Sequence, residues 1–180
     1  MLSYLVKSLP NIWYNFRTSH LTMSDLLTIK AHSELPRSNP RSRIGDEGER
    51  IAAEFLRSNG YRLVLSNFTV PIGRNSKGVA ATGEIDIVAL EGETICFVEV
   101  KTRTSDEFAA PLASVTRRKQ RQITRTARIY RRIFGVAEMS YRFDVVSIIL
   151  GPGIEPTKEL IKGFWSESSY RKKTWTGDIY

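Results

Sequence analysis

Three residues able to act together on a metal ion or a phosphate lie in two neighbouring apolar segments. Asp86 belongs to GEIDIVAL, and Glu99 and Lys101 stand two residues apart in TICFVEVKTR. Both segments are rich in β-branched and aromatic residues and meet at Glu91-Gly92, which predicts the two strands of a hairpin. Because side chains alternate along a strand, Glu99 and Lys101 share one face, as Glu84 and Asp86 do on the partner strand.

The length of the hairpin loop decides how Asp86 meets Glu99. In a regular antiparallel pair, a two-residue loop puts Asp86 opposite Phe97, and a four-residue loop puts it opposite Glu99. Either register lets both carboxylates share one ion, since cross-strand neighbours lie about 4.5 to 5.5 Å apart and diagonal ones about 7 to 8 Å. Two carboxylates this close repel each other unless a cation or a proton lies between them. A hard divalent ion fits, because Mg²⁺ takes oxygen ligands from one or two carboxylates and fills its shell with water and substrate phosphate.

An isolated Glu-x-Lys is a weak signal, since both residues are common and a solvated face of an edge strand explains most such pairs. Two features of this chain favour a functional role for Glu99 and Lys101 over a solvated face. A second acidic pair, Glu84 and Asp86, lies on the partner strand, and apolar residues occupy both faces of each strand, as in a sheet covered on both sides. Charged groups in such a sheet are costly unless they are paired or bind a ligand.

Composition narrows the class of protein. The chain has 180 residues, enough for one domain of ordinary size with extensions. Its 27 Lys and Arg against 19 Asp and Glu give a net charge of +8, which favours a polyanionic partner such as nucleic acid. The one cysteine, Cys96, excludes an intrachain disulfide, and two histidines are too few for a His/Cys zinc site. No apolar run approaches the length of a membrane span, so we expect a cytoplasmic protein with no membrane partner.

The segment 114–134 predicts an amphipathic helix with two parallel stripes. Ile123, Ala127, Tyr130 and Phe134 recur at helical spacing and predict the side that faces the core. The segment has eight basic residues and no acidic one, so its charges cannot form i,i+4 ion pairs. A solvated face is the plain alternative, but like charges along one stripe repel, and a phosphate backbone would cancel that repulsion. The predicted nucleic-acid-binding residues are Arg118, Lys119, Arg121, Arg125, Arg128 and Arg132 of this helix, with Arg103 of the hairpin.

The order of elements predicts one α/β domain at residues 44–150. A helix is expected over 44–59, strands over 61–70, 83–90, 94–103 and 141–150, and a loop over 72–82. The order helix, three strands, helix, strand predicts a central mixed sheet flanked by helices. Residues 1–43 are predicted to be a poorly ordered N-terminal extension, with a targeting peptide or a translation start at Met23 as alternatives. Residues 151–180 are predicted to form a basic aromatic C-terminal tail.

Several short phrases between about Ile44 and Leu150 match a known family. They are Gly45-x-x-Gly48-Glu49, the stretch 52–56, Gly60-Tyr61, Asn67, Gly83-Glu84-Ile85-Asp86, residues 97–103 (FVEVKTR), Lys119-Gln120, Ala127 and Phe143-Asp144-Val145. With these phrases the sequence resembles the YraN-like family of bacterial proteins, which are related to archaeal Holliday junction resolvases within the PD-(D/E)xK nuclease superfamily.

The resemblance implies a restriction-endonuclease-like fold and a metal-dependent endonuclease. Asp86 and Glu99 would bind Mg²⁺ or Mn²⁺, and Lys101 would lie beside the attacked phosphate, where it orients a water molecule or stabilises developing charge. Glu49 would reach the site from the first helix, although the helix dipole also favours an acidic residue near a helix N-terminus. The expected partner is nucleic acid, DNA in preference to RNA, and both a monomer and a homodimer stay open.

Two other classes stay open beside the nuclease. One is a catalytically silent nucleic-acid-binding module of the same fold, which the basic helix would also serve. The other is a scaffold in which Asp86, Glu99 and Lys101 form only a satisfied ion network, since buried charge networks also occur for structural reasons.

Overall fold

The computed structural model of the chain describes residues 40–74, 78–104 and 115–170. Its elements, numbered here in chain order, are α1 (Pro40–Ser58), β1 (Arg62–Arg74), β2 (Ala80–Glu91), β3 (Thr94–Thr104), α2 (Arg117–Ile133), β4 (Tyr141–Gly151), β5 (Ile154–Trp165) and a 3-10 helix (Glu167–Tyr170). The five strands form one sheet in chain order, with β3 and β4 parallel and all other neighbours antiparallel. The predicted α/β fold with a mixed sheet flanked by helices is confirmed.

The predicted N-terminal extension, 1–43, lies outside the described residues except for 40–43, which begin α1. The last part of the predicted tail, 171–180, also lies outside them. Within the part of the chain that is described, no helix is long and apolar enough to cross a membrane.

The two helices cover opposite faces of the sheet. Side chains of α1, among them Leu56, pack in one core layer with Val98 of β3. Side chains of α2, among them Tyr130, pack in the other layer with Phe97. The alternation along β3 therefore places Glu99, two residues beyond Phe97, on the side of the sheet that α2 covers.

The helix α2 has the predicted amphipathic pattern. Ile123, Ala127 and Tyr130 are buried and Phe134 is half-buried, so the core-facing stripe is confirmed. The helix begins three residues later than expected because the Thr116 hydroxyl accepts a hydrogen bond from the Lys119 backbone N–H and caps it.

The hairpin between β2 and β3 has the register that brings the two carboxylates level. Its last pair is Glu91 with Thr94, and Gly92 in the turn has a φ of 57°. The pairing ends at Ile87 with Val98, whereas both strands continue and pair with β1 and β4 on their other sides. One further step in this register would match Asp86 with Glu99. The two strands thus part at the level of the predicted site.

The side-chain alternation also breaks at this level. Ile85 and Val88 of β2, three residues apart, lie in the same core layer, and Phe68 of β1 joins them there. Asn67 of β1, level with Asp86, has a φ of 54°. Asn is one of the few non-glycine residues that adopt this left-handed conformation readily. The assumption of a regular hairpin is therefore wrong at Asp86. The expected loop length is also wrong, because the pairing of Glu91 with Thr94 leaves a two-residue turn, Gly92-Glu93, whereas the observed register is the one expected of a four-residue loop.

Two segments differ from the prediction. The expected loop at 72–82 is largely strand, because β1 and β2 extend through pairs such as Pro71 with Thr82 and Arg74 with Ala80. The expected tail at 151–180 is wrong for 154–170, since β5 pairs with β4 and the 3-10 helix follows it. The strand ends within 72–82 bury little apolar surface, so their backbone hydrogen bonds define them. The strand β5 also packs on the core, because Trp165 is buried and stacks on Phe143.

A buried acid holds β5 in place. Asp144 of β4 is fully buried, and its Oδ1 accepts hydrogen bonds from Gly163 N of β5 at 2.8 Å and from Arg142 Nε at 2.9 Å. Arg142 also pairs with Glu91 Oε2 at 2.6 Å and donates to the Tyr61 hydroxyl. Every charge of this network is paired, so it accounts for the matching phrase around Asp144 as a structural feature.

Two glycines allow the helices to approach the sheet. A Cβ on Gly48 of α1 would lie 1.7 Å from Thr102 Oγ1 of β3, and a Cβ on Gly83 of β2 would lie 2.0 Å from Thr126 Oγ1 of α2. Any side chain at either position would force the helix away from the strand. Both contacts flank the level at which β2 and β3 part.

Candidate metal and nucleic-acid site

Glu99 is the most deeply buried acid of the candidate site. It is 1% exposed, and two lysines from different elements reach its carboxylate. Lys101 Nζ, from the same face of β3, donates a hydrogen bond to Oε1 at 2.6 Å. Lys119 Nζ, from the first turn of α2, lies 3.2 Å from Oε2, without the geometry of a hydrogen bond. Glu99 Oε2 is therefore a buried oxygen with an ionic neighbour and no hydrogen-bond donor in the described structure.

Asp86 lies at the point where β2 leaves β3, and its carboxyl takes over a bond of the interrupted ladder. Its Oδ2 accepts a hydrogen bond from Val100 N at 2.7 Å. Burial in the first place, and the Glu99 carboxylate in the second, raise the pKa of Asp86 from 3.8 to about 8, although the Lys119 ammonium and the Val100 N–H act in the opposite direction. Burial and the neighbouring carboxylate thus favour the protonated form of Asp86.

Glu49 and Glu84 border this centre. Glu49 is half-buried on α1, next to Gly48, and its charge contributes to raising the pKa of Asp86. Burial acts to lower the pKa of the Lys119 ammonium, but the charges of Glu99, Asp86 and Glu84 outweigh it and raise that pKa above its usual range. The site thus combines acidic groups from α1, β2 and β3 with lysines from β3 and α2.

The position of Lys119 was not predicted. Lys119 is one of the cations of the predicted basic helix, but its ammonium lies against the buried Glu99. The Thr116 cap and the Gln122 Nε2 bond to Thr82 O at 2.6 Å fix the first turns of α2 over the gap between β2 and β3. A Thr before an amphipathic run is a typical helix N-cap, but the local sequence does not indicate which strands the start of the helix will cover.

The five arginines of the basic stripe of α2 are exposed, but they differ in their surroundings. They are Arg118, Arg121, Arg125, Arg128 and Arg132. Arg128 Nη2 pairs with Glu167 Oε1 at 2.6 Å, and the Arg121 guanidinium lies 5.6 Å from the centre of the Tyr170 ring. Both partners belong to the 3-10 helix after β5. Within the described residues, Arg118, Arg125 and Arg132 have no such ion pair or ring contact. These three residues are the part of the stripe available to an external anion.

Arg103 is half-buried near the end of β3, on the face shared by Glu99 and Lys101.

In the described part of the chain, no group of three or more His, Cys, Asp or Glu side chains is arranged to hold a metal ion. Any ion at this site would therefore depend on Asp86 and Glu99, with water or a substrate supplying its other ligands.

The raised pKa of Asp86 predicts how the metal-free protein responds to pH. The folded state holds this proton up to about pH 8 and the unfolded state only to about pH 4, so its contribution to stability is greatest below pH 4 and is lost as pH rises through 8. Between pH 6 and pH 9 in EDTA, Asp86→Asn should gain about 2 kcal/mol of unfolding free energy relative to the parent.

Urea unfolding of both proteins at the two pH values measures this difference. Glu93→Gln, which removes an exposed carboxylate from the turn of the same hairpin, is the matched control and should follow the parent. Parallel pH profiles of Asp86→Asn and the parent would contradict the protonated Asp86.

Comparison with known proteins adds the family. Residues 48–148 match the family described as Uncharacterised protein family UPF0102. A UPF0102 protein of Desulfosudis oleivorans is 39% identical over 124 residues, which cover 69% of this chain and 90% of that protein. A UPF0102 protein of Moorella thermoacetica is 43% identical over 110 residues, which cover 61% of this chain and 83% of that protein.

The relative from Chlorobium limicola, also a UPF0102 protein, is 42% identical over 106 residues, 59% of this chain and 74% of its own length. The matched residues include the close contact at Gly48 and the whole centre around Glu99. They confirm the resemblance drawn from the sequence. The chain belongs to the uncharacterised protein family UPF0102, the YraN family, within the restriction-endonuclease-like superfamily.

Proposed function

We propose that the protein is a metal-dependent endonuclease that hydrolyses phosphodiester bonds in nucleic acid. The observation that carries this proposal is Glu99, a carboxylate 1% exposed, whose Oε2 has an ionic neighbour in Lys119 but no well-formed hydrogen bond among the described residues, and whose charge raises the pKa of the nearby Asp86. A buried polar atom left unsatisfied costs free energy, so native structures rarely keep one without a further partner. A cation bound between the two carboxylates would be such a partner.

The donor set fits a hard divalent ion. Asp86 has one oxygen engaged by Val100 N, which orients the carboxyl, and its other oxygen is free of that bond. Two carboxylates without a soft ligand suit Mg²⁺ or Mn²⁺, which leave positions for water and phosphate oxygens. When bound, such an ion supplies positive charge at the phosphate and makes a coordinated water more acidic.

The side chains of the chain supply the rest of the proposed chemistry. Lys101, held by Glu99 and partly exposed, carries a positive charge at the rim of the site, where it can stabilise charge on a phosphate oxygen. Glu49 lies near enough to influence Asp86, and so it can accept a proton from a water molecule on that side. Arg118, Arg125 and Arg132 extend the positive surface along α2. Residues seven positions apart lie on one side of a helix, about 10 Å from each other, so these three can contact a phosphate backbone that runs along α2.

A catalytically silent nucleic-acid-binding module is the second candidate. The exposed basic stripe favours it independently of the acidic centre, because phosphate contacts require only positive side chains. The two candidates differ in what Asp86 and Lys101 do. In a silent binder these residues stabilise the fold. Such a protein has no cleavage activity, so their substitution cannot lower a cleavage rate.

Loss of cleavage in two variants tests the proposed chemistry. The protein should cut DNA in Mn²⁺ and not in EDTA, and Asp86→Asn and Lys101→Met should each lower the rate by at least about a hundredfold, since positioned catalytic groups typically contribute 10² to 10⁴. The measurement is cleavage of labelled single-stranded, flap and four-way junction DNA, with RNA of the same sequences. Glu93→Gln, at the exposed turn of the hairpin, should cut at the rate of the parent. Equal rates in Asp86→Asn and the parent would remove the acidic centre from the mechanism.

Salt-dependent binding tests the basic stripe. Substituting Arg125 and Arg132 by Gln should weaken binding to all sequences alike and lower the slope of log affinity against log salt by about 1 to 2, because each lost phosphate contact removes about 0.7 to 0.9 from it. Fluorescence anisotropy in EDTA over a range of salt concentrations measures both quantities. The control replaces two exposed arginines away from α2, Arg57 and Arg62, with the same loss of charge. Equal effects of the two pairs would mean that the stripe is only a solvated face.

A further inference from the structure

The two lysines on Glu99 are held differently. Lys101 Nζ makes a hydrogen bond of 2.6 Å to Oε1, and it comes from the same strand. Lys119 Nζ lies 3.2 Å from Oε2 and leaves that oxygen without a hydrogen bond. The Oε1 side of the carboxylate is therefore satisfied by its lysine, whereas the Oε2 side is only neutralised.

Lys119 also lies in the field of Asp86. Its Nζ lies 3.2 Å from Glu99 Oε2, and it is close enough to Asp86 for each group to shift the pKa of the other, so the ammonium lies beside both acids. A divalent cation between the same carboxylates would need that space. Two cations so close repel each other, and in a medium less polar than water this repulsion is large.

Hydrogen bonds fix the backbone around Lys119, but the Lys119 ammonium can reach solvent. The Thr116 hydroxyl caps the first turn of α2, and Gln122 ties the next turn to Thr82 O. The Lys119 side chain itself remains 29% exposed, at the end of a flexible four-carbon stem. It can leave Glu99 and reach solvent without any movement of the helix.

We propose that Lys119 is the counter-ion of the metal-free site and leaves Glu99 when a divalent cation binds between Asp86 and Glu99. This rests on the proposed metal site and adds a role for a residue of α2. The ammonium compensates a buried charge while the site holds no ion, and it competes with the ion for the same carboxylate. Its release puts a positive charge at the end of the basic stripe nearest the site, where a phosphate would arrive.

Metal affinity tests the exchange without reference to cleavage. Lys119→Met removes the ammonium and keeps an unbranched stem, and it should bind Mn²⁺ on the order of tenfold more tightly than the parent, measured by calorimetric titration. Arg117→Met, two residues earlier on the same helix and exposed, loses the same charge away from Glu99 and should stay within about twofold of the parent.

Each outcome of the titration bears on the proposal. Equal or weaker Mn²⁺ affinity in Lys119→Met overturns it, and if the parent still binds Mn²⁺ and cleaves DNA, the proposed function survives. Tightening in both variants alike also overturns it, since that is a general charge effect. Absence of Mn²⁺ binding in all three proteins overturns both the exchange and the metal site.

A measurement on the unsubstituted protein covers the case in which Lys119→Met does not fold. Acetylation of lysines, followed by peptide mass spectrometry, reports how accessible each amine is. Mg²⁺ should increase the acetylation rate of Lys119 severalfold compared with EDTA. Lys162, which pairs with Glu91 at 2.6 Å away from the site, is the internal control and should be unaffected. An unchanged or slower rate at Lys119 overturns the exchange.

Discussion

Burial of the Glu99 carboxylate inside a sheet covered on both faces is the constraint on which the site depends. Taking a charge out of water costs several kcal/mol unless other charges and hydrogen bonds compensate it. Two lysines from different elements do so here, and the neighbouring Asp86 keeps its proton. Removal of either lysine, or of the proton on Asp86, leaves the centre with an uncompensated negative charge. Their arrangement is therefore a property of the whole centre rather than of single residues.

The sheet makes room for this centre by parting. Pairing between β2 and β3 stops at Ile87 and Val98, and the Asp86 carboxyl bonds the Val100 N–H that has lost its partner across the gap. Asn67, in a left-handed conformation, marks the same level on β1. Gly48 and Gly83 let the two helices approach the sheet at this level, so that Glu49 and Lys119 reach the acids. The irregularity of the hairpin is thus a requirement of the site.

The sequence predicted those features that depend on local pattern. The apolar strands, the hairpin and the core-facing stripe of α2 follow from periods of two and 3.6 residues, and each is present. The closeness of Glu99 and Lys101 follows from the same alternation. These predictions needed no knowledge of distant contacts.

Features that depend on packing between distant segments could not be predicted in the same way. In the sequence, Lys119 is one of eight basic residues of the segment 114–134, and only the position of α2 over the gap between β2 and β3 distinguishes it. The pairing of Arg128 with Glu167 requires β5, which is predicted as part of a tail because its pairing with β4 and the burial of Trp165 depend on distant segments. The strand pairs that replace the expected loop at 72–82 bury little apolar surface, so hydrophobic periodicity does not reveal them.

The central claim, that Glu99 is buried to bind a divalent ion, is tested most directly by thermal unfolding of the parent and Glu99→Gln with and without Mn²⁺. A ligand present at about 100 times its dissociation constant adds about 2.7 kcal/mol to the stability of the form that binds it. The account predicts that Mn²⁺ raises the Tm of the parent by several degrees and leaves the Tm of Glu99→Gln unchanged. An equal shift in both proteins, or no shift in the parent, would contradict it and favour a structural ion network.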